Sequence, residues 1–501
     1  MILKEIETDI LFIVPPYLRF LNSENYVFPL GLGQIVSYLS ARGISSKIYN
    51  ADIFKPQKNY YLRFINFLRR IIFCSELINQ DFLDGRNDFE RNFKDMNNKI
   101  WLEVRHVLEV VKPKILGISC KSTDIESAEI LAKLAKSILP EVKIVVGGPA
   151  ANTYTEHFIS NISFDYIIRG EGEIAMHQLT ECIFKKLPLE DFKKINGLIF
   201  RQKSTIIKNE FTACKMGLDE IPFPDRESMF YLNENNQFEF VVKTNDIITS
   251  RGCPYHCKFC SSYVSWGTRK PKLRSIENII EEIVYLHKKY GQKNFIIWDD
   301  LFTANKNRVI KFCEKILESS LEIKWLCFAR INTIDEELIA IMKKAGCIEI
   351  QVGIESGNNR ILKHIKKDID LEMIYKKSKI INDSGMKWTA FFIIGFPGET
   401  KKEILDTIKI IPRIKPTAAT MSIFAPYAGT DFYFELVQSG QMSSDYERVD
   451  CMTSTKNYTG TMSDRDFKKI AVYALEKTDK YNFYLKWSYN FTKLVNWIFR
   501  K

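Results

Sequence analysis

The chain has 501 residues, of which 46% are hydrophobic and 27% are charged, a balance typical of globular domains that excludes a disordered or fibrous protein. Its length predicts two or three domains with buried cores and excludes a small disulfide-stapled scaffold. The net charge of +11 is spread through a lysine-rich sequence, which indicates a solvated basic surface. The sequence contains no recognisable nucleic-acid-binding module.

Strand-like and helix-like stretches alternate through residues 1–200, the pattern of a doubly wound, Rossmann-like parallel sheet. The strand-like runs lie at 9–14, 46–52, 114–119, 142–146 and 164–168, and the helix-like runs at 31–42, 125–139 and 173–186. An insertion at about 55–110 interrupts the alternation. It contains a basic, aromatic stretch, Tyr60–Phe73, which either packs on its own domain or touches a lipid surface. In such sheets, ligands bind at the carboxyl ends of the strands.

Residues 201–240 are predicted to complete a hairpin and form a linker, because the last strand-like arm is followed by a Pro- and Asn-rich stretch. A second alternation spans 241–430. Its strand-like runs lie at 247–249, 294–298, 324–328, 348–352, 387–394 and 418–424, and its helix-like runs at 276–290, 306–318, 335–345 and 371–384. Six units are too few for a complete eightfold barrel, so we predict a partial (β/α)6 TIM-type barrel. Residues 431–501 are predicted to form a mostly helical region. It packs on the rest of the protein, caps the barrel mouth or lies against a membrane surface.

Three of the 11 cysteines stand on one short loop, in the segment SRGCPYHCKFC at 250–260. The thiolates of Cys253, Cys257 and Cys260 suit an iron–sulfur cluster or zinc. A structural zinc ion needs a fourth ligand, and His256 lies too close within the loop to reach the same ion easily. Three cysteines on a 4Fe-4S cluster leave one iron open. The other cysteines are predicted to be small buried side chains.

This CxxxCxxC loop after a first barrel strand, with an aromatic residue before the third cysteine, resembles the radical S-adenosylmethionine (SAM) superfamily. The resemblance implies that the cluster binds SAM at its open iron and cleaves it to a 5′-deoxyadenosyl radical. It also implies SAM contacts in the segments WDD at 298–300, GIESG at 353–357 and GFPGET at 395–400, and at an arginine after the third strand. The predicted SAM-binding residues are Phe259, Asp299, Asp300, Arg330, Glu355, Ser356, Gly395 and Pro397. Among these, the Asp pair is expected to meet the methionine amino group, Arg330 the carboxylate and Glu355 the ribose hydroxyls. The GFPGET turn is expected to hold the adenine.

A second resemblance lies in the segments PP at 15–16, PLGLG at 29–33, GGP at 147–149 and RGEGE at 169–173, which are similar to the cobalamin-binding domain of one radical SAM subfamily. The predicted cobalamin-lining residues are Tyr17, Ser119, Lys121, Ser122, Thr123, Gly147, Gly148, Pro149 and Glu171. The chain departs from the base-off, His-on pattern, because PPYLRF at 15–20 contains no histidine. The lower axial position would then be empty, filled by water or met by another side chain. A domain that has lost its cofactor, or uses it only to shape the substrate pocket, is the alternative.

These resemblances predict a cobalamin-dependent radical SAM methyltransferase acting on an unactivated carbon. The alternatives are a radical SAM cyclase or rearrangement enzyme, and a non-catalytic cluster or cobalamin sensor. A methylthiotransferase is disfavoured, because Cys74, Cys120 and Cys182 are widely spaced and lie in no cluster motif.

The predicted partners are a small-molecule, lipid-precursor or peptide substrate and a flavodoxin- or ferredoxin-type electron donor, without nucleic acid. The first residues show no signal-peptide pattern, and no run of about 18 apolar residues occurs. We therefore expect a cytoplasmic protein without a transmembrane segment, with peripheral membrane contact left open.

Overall fold

A computed structural model of the chain describes residues 6–20, 28–53, 91–233, 235–444, 446 and 456–498, with side chains as far as Leu485. The stretch Tyr60–Phe73 lies outside the described residues. The side chains of the last aromatic residues, from Trp487 onward, also lie outside them.

The first sheet has nine strands among the described residues, in the order β7-β6-β5-β4-β3-β1-β2-β8-β9. They are β1 (Ile10–Val14), β2 (Ser46–Asn50), β3 (Ile115–Ser119), β4 (Lys143–Gly147), β5 (Tyr166–Ile168), β6 (Leu198–Gln202), β7 (Thr205–Lys208), β8 (Met229–Leu232) and β9 (Phe238–Phe240). The strands from β5 to β8 in this order are parallel, and β6, β7 and β9 extend the sheet by antiparallel pairing.

The strand order reverses between β3 and β1, which makes their carboxyl ends the topological switch point where ligands bind in open α/β sheets. Helices cover the sheet, because their apolar stripes need a partner surface. They are α1 (Leu30–Ser40), α2 (Lys99–Val111), α3 (Ile125–Ile138), α4 (Pro149–Thr153), α5 (Thr155–Ser160), α6 (Gly172–Phe184) and α7 (Leu189–Lys193).

Two regions of this part of the chain are more regular than the sequence predicts. Residues 99–111, inside the predicted insertion, form α2, and Trp101, Val104 and Leu108 of that helix are fully buried. Residues 229–240, inside the predicted linker, form β8 and β9, and β8 pairs in parallel with β2. Both segments therefore belong to the first sheet and its core.

The second sheet contains six parallel strands in the order β10-β13-β14-β15-β16-β17, with no hydrogen-bonded contact between its two described edges. These strands are β10 (Asp246–Ile247), β13 (Asn294–Ile297), β14 (Lys324–Arg330), β15 (Cys347–Glu355), β16 (Lys387–Ile394) and β17 (Ala418–Ile423), and a separate antiparallel pair is formed by β11 (Ser250–Arg251) and β12 (Lys272–Leu273). The helices are α8 (Ser262–Trp266), α9 (Ile276–Tyr290), α10 (Lys306–Glu318), α11 (Glu336–Lys344), α12 (Asn359–His364), α13 (Leu371–Ser384), α14 (Lys401–Ile414), α15 (Asp431–Gln438) and α16 (Asp464–Ile498). The sheet confirms the predicted α/β class, while closure into a partial barrel stays a prediction.

One face of the second sheet is buried and the other is half exposed, as the alternation of side chains along a strand requires. In β16, Trp388, Ala390 and Phe392 are buried, while Thr389 and Phe391 are partly exposed. The long helix α16 lies against the β17 edge, where the side-chain amide of Asn482 hydrogen-bonds both the N–H and the carbonyl of Ala419. No helix in the described part of the chain is long and apolar enough to cross a membrane.

Candidate active site

The three clustered cysteines lie on the loop between β11 and α8, beyond the carboxyl end of β10. Lys258 holds the loop through its backbone, because its N–H donates to the carbonyl of Ile365 and its carbonyl accepts from the N–H of Phe432. Cys257 is 8% exposed, and Cys253 and Cys260 are partly exposed. The loop thus presents three thiols at the edge where the sequence places the cluster.

Arg330, at the end of β14, contacts the cysteine loop directly. Its Nη1 donates to the Sγ of Cys257 over 3.1 Å, and its guanidinium carbon lies 3.7 Å from the ring centre of Tyr255. The side chain is almost fully buried, and its Nη2 donates to the carbonyl of Lys367. A buried cation beside a sulfur ligand stabilises negative charge at that position. The predicted pairing of Arg330 with a SAM carboxylate stays a proposal.

The donor set fits a 4Fe-4S cluster. In the described residues, no group of three His, Cys, Asp or Glu side chains converges on a single-ion position. A cubane does not require such convergence, because each cysteine binds a different iron. Burial raises the pKa of the Cys253 thiol, and it raises the pKa of Cys260 to about 12. The metal-free thiols of Cys253 and Cys260 are therefore protonated at neutral pH, and iron must displace their protons.

The two adjacent aspartates after β13 have different environments. Asp299 is buried and accepts four hydrogen bonds, from the backbone N–H and the hydroxyl of both Thr249 and Ser250, over 2.5–3.0 Å. These bonds position the strand that enters the cysteine loop, and the predicted contact of Asp299 with SAM stays a prediction. Asp300 is exposed, and its Oδ2 accepts from the N–H of Gly252 and from the indole of Trp266.

Glu355, at the end of β15, is buried and paired with a lysine that the sequence did not indicate. Its Oε1 lies 2.7 Å from the Nζ of Lys367, which is also buried. Glu355 has a φ of 69°, and a bulge interrupts its strand pairing after Gly353. Backbone strain of this kind costs about 1–3 kcal/mol and concentrates at functional sites. Glu355 and Lys367 together form a polar wall beside Arg330.

The remaining predicted SAM residues divide into two groups. Ser356 is fully buried, and its hydroxyl hydrogen-bonds the hydroxyl of Thr407 in α14, so its side chain faces a helix; its predicted SAM contact stays a prediction. Gly395 and Pro397 form the turn after β16. Gly395 has a φ of 89°, which favours glycine at this position. Phe259 packs against Phe396 of the same turn, with 5.6 Å between the two ring centres. The cysteine loop therefore touches the turn predicted to hold adenine.

The predicted cobalamin residues lie along the carboxyl edge of the first sheet, and one of them, Glu171, is paired within the protein. Ser119 ends β3, Ser122 and Thr123 begin the turn into α3, Gly147 ends β4, and Tyr17 follows β1. The list is completed by the neighbouring residues Lys121, Gly148 and Pro149.

Gly148 fixes how closely two of these loops approach. Its φ is 92°, and a Cβ there would lie 2.8 Å from the carbonyl oxygen of Cys120. Asp124 is 1% exposed, and its Oδ2 has no hydrogen-bond partner in the described residues, although the Nζ of Lys121 lies 3.8 Å away. A buried acceptor beside half-exposed hydroxyls and a close glycine turn fits a polar, amide-bearing ligand such as cobalamin.

The carboxylate of Glu171 is already used within the protein. Its Oε2 lies 2.8 Å from Nη1 of Arg251, and its Oε1 lies 2.6 Å from the Nζ of Lys272. The predicted role of Glu171 in lining the cobalamin crevice stays a prediction. The residue links the first sheet to the strand that precedes Cys253.

Three features together define a class of protein: a three-cysteine loop at the edge of a parallel sheet, a polar wall beside it, and an adjoining Rossmann-like domain. The class is that of enzymes that combine a 4Fe-4S cluster with a second cofactor bound by a Rossmann-like domain. Residues 247–411 match the family model of the radical SAM superfamily, and residues 86–180 match that of the B12 binding domain.

Named relatives agree with these matches. An uncharacterized methyltransferase of Pyrococcus horikoshii is 30% identical over 375 residues, covering 74% of this chain and 80% of that protein. Cytidylyl-2-hydroxyethylphosphonate methyltransferase of Streptomyces wedmorensis is 25% identical, with coverage of 82% and 78%. The anaerobic magnesium-protoporphyrin IX monomethyl ester cyclase of Rubrivivax gelatinosus is 26% identical, with coverage of 70% and 63%.

Solved structures share the fold. The radical SAM methyltransferase TsrM from Kitasatospora setae, solved with tryptophan and a SAM analogue, has a TM-score of 0.60 at 12% identity, over 86% of this chain and 76% of that one. The cobalamin-dependent SAM radical enzyme OxsB, solved with aqua-cobalamin, has a TM-score of 0.64 at 16% identity, over 96% and 73%.

The chain belongs to the radical SAM superfamily, in the group whose members carry a B12 binding domain. It is an enzyme whose cofactors are a 4Fe-4S cluster, SAM and cobalamin.

Sequence reasoning missed the residues that act through tertiary contacts. Lys367 lies in a lysine-rich stretch, HIKKDID at 364–370, which resembles an exposed surface segment. Arg251 and Glu173 belong to segments that the sequence did single out, SRGCP and RGEGE, but their pairing joins residues about 80 positions apart. Both segments combine charged residues with glycine, and that composition was the only available signal.

Proposed function

We propose that this enzyme transfers a methyl group from cobalamin to an unactivated carbon of a small-molecule, lipid-precursor or peptide substrate. When bound, the cluster with SAM supplies a 5′-deoxyadenosyl radical, and cobalamin supplies the methyl group. The named methyltransferase relatives support this reading. A flavodoxin- or ferredoxin-type protein is proposed as the electron donor.

The observation that carries the proposal is the contact between the carboxyl edges of the two sheets. Asn152, in the helix directly after β4, accepts from the N–H of Gly170 and donates to the carbonyl of Ser265 over 2.9 Å. Ser265 lies in α8, immediately after the cysteine loop. A substrate bound between these edges would face both cofactor regions. Methyl transfer needs this arrangement, whereas a reaction that uses only the cluster and SAM does not.

The residues of the chain have separable tasks in this scheme. Cys253, Cys257 and Cys260 hold the cluster, and Arg330 stabilises charge at the sulfur of Cys257. Glu355, oriented by Lys367, is placed to accept hydrogen bonds from the ribose hydroxyls of SAM. The half-exposed hydroxyls of Ser119 and Ser122 are placed to bind the amide rim of cobalamin.

The test is anaerobic reconstitution of the full chain with iron, sulfide and hydroxocobalamin, followed by desalting and quantification of both metals. We expect about four irons and one cobalt per chain, which is the content of one cubane and one corrinoid. With SAM and a strong reductant, the loaded enzyme should form 5′-deoxyadenosine. Cys257→Ala should abolish this cleavage, while Cys214→Ala, which alters a half-buried cysteine outside the loop, should retain it. Cleavage retained by the reconstituted Cys257→Ala variant would contradict the proposal.

The cyclase or rearrangement alternative has a specific observation in its favour, the similarity to the Rubrivivax cyclase. Products separate the two functions. Methyl transfer with regeneration of the cobalamin methyl group yields S-adenosylhomocysteine and 5′-deoxyadenosine together, whereas radical rearrangement yields no S-adenosylhomocysteine. A reconstituted protein with four irons and no cobalt per chain would favour the cyclase or rearrangement function over methyl transfer.

A further inference from the structure

A buried group of charged residues joins the first sheet to the strand that leads into the cysteine loop. We call Gln34, Glu171, Glu173, Arg251 and Lys272 the interface charge cluster. Nη1 of Arg251 lies 2.8 Å from Oε2 of Glu171, and its Nη2 lies 2.5 Å from Oε1 of Glu173 and 2.8 Å from Oε1 of Gln34. Lys272 adds a contact of 2.6 Å to the other oxygen of Glu171. Two carboxylates thus face two cations in one network.

The burial of this network argues against a role in adhesion alone. The side chains of Arg251, Glu171 and Glu173 are each at most 4% exposed. Removing each ion from water costs several kcal/mol, which pairing repays only with good geometry, so apolar residues would join the two parts at a lower cost. A planar guanidinium held by three acceptors instead fixes the direction and the distance between the two parts that it joins.

The covalent neighbours of the cluster are the residues whose positions matter for the reaction. Arg251 precedes Cys253 by two residues and is paired in register with Lys272 of β12. The intervening Gly252 is fixed by its N–H bond to Asp300. A displacement of Arg251 therefore moves the first cluster ligand.

The opposite side of the network belongs to the predicted cobalamin edge. Glu171 is the residue before α6 and Glu173 lies in its first turn, directly after the short β5. Gln34 is a buried residue of α1, the helix that follows β1. The network thus reaches two elements of the first sheet from a single arginine.

We propose that Arg251 is a positioning residue that sets the cysteine loop at a fixed distance from the cobalamin-binding edge, through Glu171 and Glu173. The inference rests on the proposed function, because a fixed distance between the two sites serves catalysis only when both cofactors act on one substrate. Misplacement of reacting groups by about 1 Å can cost on the order of 100-fold in rate, so we expect a comparable loss of methyl transfer when this network is broken.

The test uses the full chain and two readouts that need no substrate. The first is the distance between cob(II)alamin and the reduced cluster, measured by double electron–electron resonance after anaerobic reconstitution. The second is hydrogen exchange of the backbone amides at 252–261 in the cofactor-free protein. The variants are Arg251→Lys, Arg251→Gln and the milder Glu173→Gln. The control is Lys136→Gln, because Lys136 is partly buried, pairs with Asp165 over 2.8 Å and donates to the carbonyl of Val142, before β4.

We expect one narrow distance distribution in the wild type and a broadened or shifted one in Arg251→Gln, with exchange at 252–261 faster by on the order of tenfold. Arg251→Lys should be intermediate, and Lys136→Gln should match the wild type in both readouts. Wild-type distances and exchange in Arg251→Gln would overturn the inference. Where Arg251→Gln does not fold, an unchanged Glu173→Gln would overturn it equally.

The two readouts separate this inference from the proposed function. A chain that binds iron but no cobalt contradicts the proposed function, yet the exchange comparison still decides whether Arg251 anchors the loop. Binding of both cofactors with no effect of any Arg251 or Glu173 variant leaves the function standing and removes the inference.

Discussion

The guanidinium of Arg330 donates a hydrogen bond to the Sγ of Cys257 across 3.1 Å, which joins the end of β14 to the middle cysteine of the cluster loop. The same arginine reaches the carbonyl of Lys367, whose ammonium group pairs with Glu355. The cysteine loop, the end of β14 and the end of β15 are therefore connected by one buried chain of polar contacts.

The first prediction concerns the reduction potential of the cluster. Arg330→Met removes a buried positive charge beside a cluster ligand, and a nearby cation favours the more negative, reduced state. We expect the midpoint potential to fall by on the order of 50 mV. A redox titration monitored by electron paramagnetic resonance measures it. Arg413→Met, which alters an exposed arginine of α14, should leave the potential unchanged; an unchanged potential in Arg330→Met would contradict the prediction.

The second prediction concerns the buried pair of Lys367 and Glu355. Lys367→Met leaves a buried carboxylate without its cation, a change that typically costs about 3 kcal/mol or more. For a domain of this size, the melting temperature should fall by about 6–12 °C. The double variant with Glu355→Gln should recover part of this loss, because the uncompensated charge is gone. Thermal melts of the cofactor-free chain measure both effects.

The control for this prediction is an ion pair of the same domain on the surface. Lys379 and Asp383 lie one turn apart in α13, with side chains 75% and 63% exposed. Solvent screens such a pair, so Lys379→Met should leave the melting temperature unchanged. A loss in Lys367→Met no larger than in Lys379→Met would show that the buried pair contributes nothing to folding.

The strands of both sheets were predictable because parallel strands covered by helices have continuous or alternating apolar patterns that sequence retains. The helices α9, α10 and α13 begin and end at the residues that the sequence indicates. The cysteine cluster was predictable for a different reason, since its three members stand on one short loop. Local patterns therefore indicated the architecture and the predicted cluster ligands.

The remaining features depend on contacts between distant segments. β8 is not recognisable as a strand because a Pro-rich segment precedes it, and its pairing with β2 joins residues about 180 positions apart. Glu171 was assigned to cobalamin because it lies on the correct edge of its sheet, but its partner, Arg251, belongs to the other domain. Ser356 was assigned to SAM from its place in a motif, but the bulge after Gly353 turns its side chain toward α14.

The third prediction concerns cobalamin binding at the edge of the first sheet. Gly148→Ala places a Cβ 2.8 Å from the carbonyl oxygen of Cys120 at a φ of 92°, and neither backbone segment can relax without moving a crevice loop. We expect about a tenfold loss of hydroxocobalamin affinity, the equivalent of about 1.4 kcal/mol of strain. Absorbance titration of the full chain measures it.

Gly43 provides the matched control for this substitution. It lies in the turn between α1 and β2, its φ is 76°, and a Cβ there would meet no non-neighbouring atom within 4 Å. Gly43→Ala strains the backbone in the same way but lies outside the predicted cobalamin segments, so it should leave the affinity unchanged. Equal affinities of the two variants would remove Gly148 from the cobalamin site.

The fourth prediction concerns pH and the turn that holds Gly395. Burial raises the pKa of Glu399 to about 8, although its Oε2 accepts from the N–H groups of Gly395 and Phe396. An unfolded glutamate has a pKa near 4.5, so between pH 4.5 and 8 the unfolded chain releases this proton before the native chain does. Stability contributed by Glu399 is therefore complete below pH 4.5 and falls as pH rises to 8.

Glu399→Gln removes that dependence while keeping an oxygen acceptor for the two N–H groups. Its melting temperature, relative to the wild type, should rise by about 5 °C between pH 5 and 8.5. In Glu403→Gln the difference from the wild type should stay constant over this range, because the ion pair with Arg360 lowers the pKa of Glu403 to about 2. A constant difference for Glu399→Gln as well would mean that Glu399 is ionised throughout, and that the turn predicted to hold adenine carries a buried negative charge.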